Sequence, residues 1–328
     1  MIFYNSQSTD PYWNLALEEY AFERLDSSQP VFLLWQNDNT IVVGVHQNTA
    51  QEINAAYVKE HGVRVVRRLT GGGAVYHDLG NLNYTIIADK DEHEAFCFNV
   101  FVSPLIRALR TFGVNASFSG RNDLLIDGKK ISGSAQMVRR GRILHHGCIM
   151  LDSDLEAVSE ALCVREAKYD SRGIPSVRSR VTTVNREAPS PISINDFRAE
   201  LTAAVREGEP TFEEYTPTLE ALAEIEKLRN DKYATWEWNY GESPDYNVEK
   251  ERRFAGGLVT AQMFVSGGRI QTVRFFGDFF GEGDLRELEA SLEGLPVGGE
   301  IGERLSEIGV EQYFHGISAK EIASLLTD

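Results

Sequence analysis

The 328-residue chain carries 33 Lys/Arg against 49 Asp/Glu, a net charge of −16, which argues against broad binding to nucleic acid or to an anionic membrane. No apolar run approaches the roughly 20 residues that span a bilayer, and residues 1–10 lack the basic start and apolar stretch of a secretory signal. Three cysteines, Cys97, Cys148 and Cys163, follow no disulfide-framework spacing, so a reducing, cytoplasmic setting is expected.

In chain order, a helix is expected to start near Asp10. Thr9 or Asp10 caps it, Pro11 suits its first position, and Trp13, Leu17 and Tyr20 follow helical spacing. VFLLWQ (31–36) and TIVVGV (40–45) read as buried strands around an Asn37-Asp38-Asn39 turn. A short helix ending at Gly62 leads into a strand over 63–69. The stretch 96–112 reads as a helix that holds Pro104 and closes at Gly113. Strands return at 116–120 and 123–126, and Asp127-Gly128 marks a hairpin. Helices follow over 155–163, 193–207 and 216–228. Residues 239–247, rich in turn formers, are the candidate linker. Beyond it, 254–280 reads as three strands, and helices over 284–292, 302–308 and 319–326 complete a small α/β unit.

Four constellations carry polar chemistry. RRLTGGGAVYHDLGN (67–81) holds three consecutive glycines, whose entropic cost points to a sharp bend or a close approach. No Lys-Ser/Thr pair follows as in a Walker loop, and the next residues read as strand rather than as the helix of a dinucleotide fingerprint. Arg68, His77 and Asn81 bracket the glycines, so the segment is either a ligand-binding turn or a structural hairpin. In GRNDLLIDGKKISGSAQ (120–136), alternation puts Lys130, Ser132, Ser134 and Gln136 on one face. Lys130 among small residues suits a phosphate or carboxylate, or is simply a solvated charge. Asn122 and Asp123 could meet Mg²⁺ or a nucleotide, although one carboxylate is a weak metal signal.

In HHGCIMLDSDL (145–155) the adjacent histidines point to opposite faces, which argues against a shared metal. Cys148 is a nucleophile if a base lies beside it, and otherwise a small core residue. In SVRSRVTT (176–183), Arg178 and Arg180 alternate as in an extended loop able to cover an anion, or as on a solvated face. The span 120–186 holds 12 basic against 8 acidic residues while the remainder is strongly acidic. That distribution suits one anionic ligand better than a polyanion.

Taken together, NLALEE (14–19), RRLTGGGAVYHDLGN, SGRNDLLIDGKKISGSAQ, HHGCIMLDSDL, GIPSVRSRVTTV and KYATWEWNYGESPDYN (232–247) resemble the lipoate–protein ligase A family in order and spacing. The resemblance covers nearly the whole chain. It implies an α+β fold whose mixed-sheet core is similar to that of biotin ligases and class II tRNA synthetases. A catalytic domain over 1–241 would be followed by a small α/β accessory domain over 242–328, able to move between reaction steps. It also implies that Lys130 is the catalytic lysine. Arg68, Thr70, Gly73, Ala74, His77, Asn81, Ser132, Ala135 and His146 would line the lipoyl-adenylate pocket with it. Asn122 and Asp123 would lie near nucleotide and magnesium, with Asp123 the metal candidate, and the loop bearing Arg178 and Arg180 would cover the adenylate.

The activity so implied is ATP- and Mg²⁺-dependent attachment of lipoate, or octanoate, to a lysine of a lipoyl domain. The acceptor would be an E2 subunit of a 2-oxoacid dehydrogenase or the glycine cleavage H protein. Nothing in the sequence demands more than a monomer. The rival on the same fold is a lipoyl or octanoyl transferase working through Cys148 without ATP. A biotin ligase is disfavoured because no GRGRxG-type loop is present.

Overall fold

The computed structural model describes residues 1–25, 28–90, 98–119, 122–162, 181–241 and 246–327. Strand β1 (Ile2–Asn5) and helix α1 (Pro11–Arg24) are followed by β2 (Val31–Trp35), β3 (Thr40–Val43), α2 (Thr49–Glu52), α3 (Ala55–His61), β4 (Arg64–Arg67), β5 (Val75–His77) and β6 (Asn81–Asp89). Next come α4 (Phe98–Thr111), β7 (Ser117–Phe118), β8 (Asp123–Ile126), β9 (Lys129–Arg139), β10 (Arg142–Met150), α5 (Leu155–Ala161) and α6 (Val184–Glu187). Then α7 (Ile194–Arg206), β11 (Glu213–Glu214), α8 (Leu219–Leu228) and α9 (Trp236–Tyr240) complete the larger unit. The remainder is β12 (Val248–Phe254), β13 (Gly257–Ser266), β14 (Arg269–Gly277), α10 (Leu285–Leu292), α11 (Glu300–Ile308) and α12 (Ala319–Thr327).

The expected start of α1 holds: Asp10 accepts from the Tyr12 amide at 3.1 Å and Pro11 occupies the first turn, where its missing N–H costs nothing. The main sheet is mixed, in the order β11-β1-β2-β6-β10-β9-β8-β7. β1 runs parallel to β2, and the centre is antiparallel. Every residue of β2 is buried because both faces of the sheet are covered. One face, with Phe32, Leu34 and Leu82, packs on Val102 and Leu105 of α4 and on Phe197 of α7. The other, with Leu33, Trp35 and Ile87, packs on Leu15 and Phe22 of α1. A separate sheet, β4-β3-β5, carries the glycine-rich turn between β4 and β5. Fold class is thus α+β, as expected.

Beyond residue 246 a meander β12-β13-β14 packs its own core, including Val259, Val273 and Phe275, against Leu288 of α10, Ile301 of α11 and Ile322 of α12. The three strands begin at Val248, six residues before the expected start, because VEKERRF pairs along its whole length with β13, from Val248 against Met263 to Phe254 against Gly257. The expected linker also begins too early. Asn239 is 3% exposed in α9, accepts from the Arg67 amide at 2.9 Å and donates to the Tyr233 and Thr235 carbonyls, so it belongs to the core.

Candidate active site

Register builds the floor of a cavity. Trp35 of β2 pairs with Asn83 of β6, Asn83 with Cys148 of β10, Cys148 with Gly133 of β9, and Gly133 with Asp123 of β8. Directly paired residues share a face, so one row crosses five strands, roughly 19 Å at the usual strand spacing. The row is apolar and aromatic at Trp35 and charged at Asp123. Trp35, Asn83, Cys148 and Gly133 line a cavity of about 120 Å³, walled further by Leu15 and Val42. Its roof is Gly72, Gly73, Ala74 and Val75 of the glycine turn.

Lys130 stands at the charged end. Its Nζ lies 2.7 Å from Asp123 Oδ1, and a Cβ at position 133 would come within 2.9 Å of it. Glycine there leaves the ammonium its place. This placement corrects the strand alternation expected for KKISGSAQ. A bulge shifts the register so that Leu124 pairs with Ser132 but Leu125 with Lys130, leaving Ile131 extra. One extra residue reverses the faces of everything before it. Lys130 therefore shares the cavity face with Gly133 and Ala135, not with Ser132.

The two arginines of the RRLTGGG segment divide their work. Arg67 staples backbone outside the cavity. Arg68 lines it, but directs its guanidinium at the turn itself: Nη2 donates to the Gly71 and Gly73 carbonyls at 2.6 and 2.9 Å, Nη1 to the Val42 carbonyl at 3.2 Å, and Nε to Thr70 Oγ1 at 3.0 Å. Burial pulls its pKa down to about 10, so it stays charged at neutral pH and fixes the roof. The glycines differ too. Gly72 has φ +86°, a bend that side chains resist. A Cβ on Gly71 would lie 2.2 Å from the Phe279 carbonyl, where the C-terminal unit meets the turn. A Cβ on Gly73 would meet nothing; its face opens on the cavity.

Both expected histidines line the cavity. His77 is buried, and its pKa falls to about 3 through desolvation, then through the charge of Arg68 and the neighbouring His146. Asn37 Oδ1 accepts from Asn14 of α1 at 3.1 Å, which turns the Asn37 amide nitrogen toward His77 Nδ1 at 3.4 Å. The proton of neutral His77 then sits on Nε2, which has no protein partner. His146 Nε2 meets Thr70 Oγ1 at 2.7 Å, which ties wall to roof. His145 points the other way, as alternation requires. It stacks on Phe101 with ring centres 4.8 Å apart and bonds Gln136 at 2.9 Å.

Arg68, Gly73, Ala74, His77, Asn122, Lys130, Ala135 and His146 thus come together at one cavity. Thr70 and Asp123 reach it through His146 and Lys130. Two expected residues stand apart. Asn81 is buried and donates to Asn83 Oδ1 at 2.9 Å, one step behind the floor, and Ser132 is fully buried away from the lining. Arg178 and Arg180 lie outside the described residues, although Val181 bridges β9 at Lys130 and the Thr182 amide donates to the Lys130 carbonyl at 2.9 Å. Sequence reasoning missed Leu15, Trp35 and Asn83. The alternating pairing of VFLLW with NLNYT was the only signal for the last two.

Cys148 lies on the cavity floor as a free thiol. Burial raises its pKa, against the opposing pull of a Gly133 backbone bond and the Lys130 and Arg68 charges. That is the environment of an inert thiol, not of an activated nucleophile.

Residues 10–206 match the lipoyl protein ligase A/B catalytic domain family, and residues 243–326 match the bacterial lipoate protein ligase C-terminus. A lipoate–protein ligase 1 of Staphylococcus aureus is 44% identical over 98% of each chain, and the Bacillus subtilis lipoate-protein ligase LplJ is 39% identical over 99% of this chain and all of its own. Among solved structures, lipoate-protein ligase A bound with ATP superposes with a TM-score of 0.64 at 28% identity, over 73% of this chain and 97% of its own. The archaeal bi-partite ligase of Thermoplasma acidophilum gives 0.65 at 29% identity, over 75% and 98%. With both domains matched along nearly its full length, the chain belongs to the lipoate–protein ligase family of enzymes.

Proposed function

We propose that the enzyme condenses lipoate with ATP and then passes the acyl group to a lysine of a lipoyl domain. The observation that carries this reading is the five-strand row, which joins an apolar slot to a single ammonium, Lys130. Lipoate would lie along the row with its ring toward Trp35 and its carboxylate toward Lys130. A related structure of lipoate-protein ligase A has ATP bound, and another relative, from Thermoplasma acidophilum, has lipoic acid bound.

In the first step a carboxylate oxygen attacks the α-phosphorus. The new O–P bond forms as the bond to pyrophosphate breaks, leaving a mixed anhydride with AMP. Two anions must meet, so charge has to be supplied in advance. Lys130 bridges the carboxylate and the α-phosphate. His77 Nε2–H and the Asn83 amide nitrogen, both buried without protein partners, supply neutral donors along the slot, and the apolar walls exclude the water that would hydrolyse the anhydride. In the second step the neutral amine of the acceptor lysine attacks the acyl carbon, the C–O bond to AMP breaks, and the amine loses its proton. No covalent acyl-enzyme forms.

Among the described residues no three His, Cys, Asp or Glu side chains cluster as a metal cage. Mg²⁺ keeps its waters and takes few protein ligands. Asp123 would hold it together with the ATP phosphates, where it would screen their charge. Residues 1–241 carry this chemistry, and residues 242–328 form the accessory unit that contacts the glycine turn at Phe279. An E2 lipoyl domain is the named partner of the Thermoplasma acidophilum ligase, and a lipoyl domain of that kind, or an H protein, would be the acceptor here.

The test is intact-mass measurement of an apo lipoyl domain incubated with enzyme, lipoate, ATP and Mg²⁺. A lipoyl mass gain that requires ATP and releases AMP is expected; gain from an acylated donor without ATP would favour the transferase. Cys148→Ser separates the two further. It should keep activity within about threefold of wild type, whereas loss of a true nucleophile costs on the order of 10⁴ or more.

A further inference from the structure

We propose that Glu18, a residue of α1 at the back of the cavity, is a positioning residue for the acyl substrate; this rests on the ligase reading above. Glu18 is 1% exposed. A carboxylate so deeply buried is costly unless donors meet it. Its Oε1 accepts from Thr85 Oγ1 at 2.6 Å and from His146 Nδ1 at 2.8 Å.

Each contact leads to a different wall of the cavity. Thr85 accepts in turn from Trp35 Nε1 at 2.9 Å, so the indole that ends the slot is held through Thr85. An ionised carboxylate only accepts, so His146 carries a proton on Nδ1. Its Nε2 then accepts a hydrogen bond from the Thr70 hydroxyl at 2.7 Å, and the Thr70 oxygen accepts from Arg68 Nε at 3.0 Å. Arg68 holds the Gly71 and Gly73 carbonyls. One carboxylate therefore orients Trp35, His146 and the glycine roof together. None of these links reaches Asp123, at the charged end. Glu18 thus sets the acyl slot and leaves the nucleotide end alone.

The experiment compares full-length wild type, Glu18→Gln and Glu18→Ala by steady-state adenylate formation, with lipoate and ATP varied separately. Histidine ¹⁵N spectra and calorimetric lipoate binding are recorded on the same samples. Glu18→Ala is expected to raise the KM and Kd for lipoate about tenfold, to leave the KM for ATP within about twofold, and to erase the Nδ1–H signature of His146. Glu18→Gln keeps an acceptor oxygen and the volume, and should recover most of the lipoate affinity.

An unmoved lipoate KM in Glu18→Ala would overturn the proposal. So would equal rises for lipoate and ATP that track a lower melting temperature and that glutamine does not rescue. If the alanine variant does not fold, Thr85→Val, which cuts the Trp35 link alone, carries the comparison and should likewise raise the KM for lipoate but not for ATP. Wild type that transfers no lipoyl group with ATP would sink the ligase reading instead, and the His146 spectrum would still decide for or against Glu18.

Discussion

Lys130→Ala should lower adenylate formation at least about a hundredfold, and up to about a thousandfold, while leaving the fold essentially unchanged. The kinetic loss follows from what the ammonium faces. At the charged end of the row it is the cation held beside the cavity by a side chain, 2.7 Å from Asp123, whereas Arg68 is committed to backbone carbonyls. The attacking carboxylate and the α-phosphate would then meet with no compensating charge. The small structural effect follows from exposure. Lys130 and Asp123 are 33% and 29% exposed as side chains, and a pair so open to solvent contributes roughly 0–1 kcal/mol.

Arginine should not rescue the variant. Its planar fork is larger than an ammonium and presents a different geometry, and the strand there is crowded enough that even a Cβ on Gly133 would sit 2.9 Å from Nζ. Pyrophosphate exchange into ATP measures the first step, and thermal melting measures the fold. Near-normal exchange by Lys130→Ala would remove Lys130 from the mechanism.

How far the site could be read from sequence depended on whether a feature is local. The glycine turn, the opposed histidines and the cap of α1 depend on neighbours within a few residues, and each stood where expected. His145 and His146 separated cleanly because a strand has period two. Lys130 did not obey the same rule, because the bulge at Ile131 is set by how β9 meets β8. A hairpin's register is a property of two strands, and one strand's alternation cannot report it. Trp35 read as one more buried residue of VFLLW, since only pairing with Asn83 identifies it as the end of the row. The charge of Arg68 was legible, but its target was not. An arginine beside three glycines looks the same in sequence whether it binds an anion or pins the turn.

Arg67 shows the opposite balance to Lys130, and Arg67→Ala should destabilise the enzyme by about 3–5 kcal/mol, much of a typical 5–15 kcal/mol total. Arg67 is 8% exposed. Nη1 donates to the carbonyls of Gly44, Val45 and Gln47 at 2.9, 3.1 and 2.7 Å, Nη2 to Thr49 Oγ1 and the Asn239 carbonyl at 2.7 and 3.2 Å, and Nε to the Trp238 carbonyl at 2.9 Å. One side chain thus joins β4, the turn after β3, α2 and α9. Alanine would take this donor from the Val45, Gln47 and Trp238 carbonyls, while the Gly44 and Asn239 carbonyls keep the Gln47 amide and the Thr49 hydroxyl, and each unmet group costs roughly 1–3 kcal/mol before relaxation. The melting temperature should fall on the order of ten degrees. Lysine offers three donors to six acceptors from a single point, so Arg67→Lys should recover less than half of the loss. A melting temperature within about two degrees of wild type for Arg67→Ala would show that water replaces the guanidinium, and that α9 is held by Asn239 and Trp238 alone. If both expectations hold, adjacent arginines in one motif have separate tasks: Arg67 fixes the helix behind the turn, and Arg68 shapes the turn over the substrate.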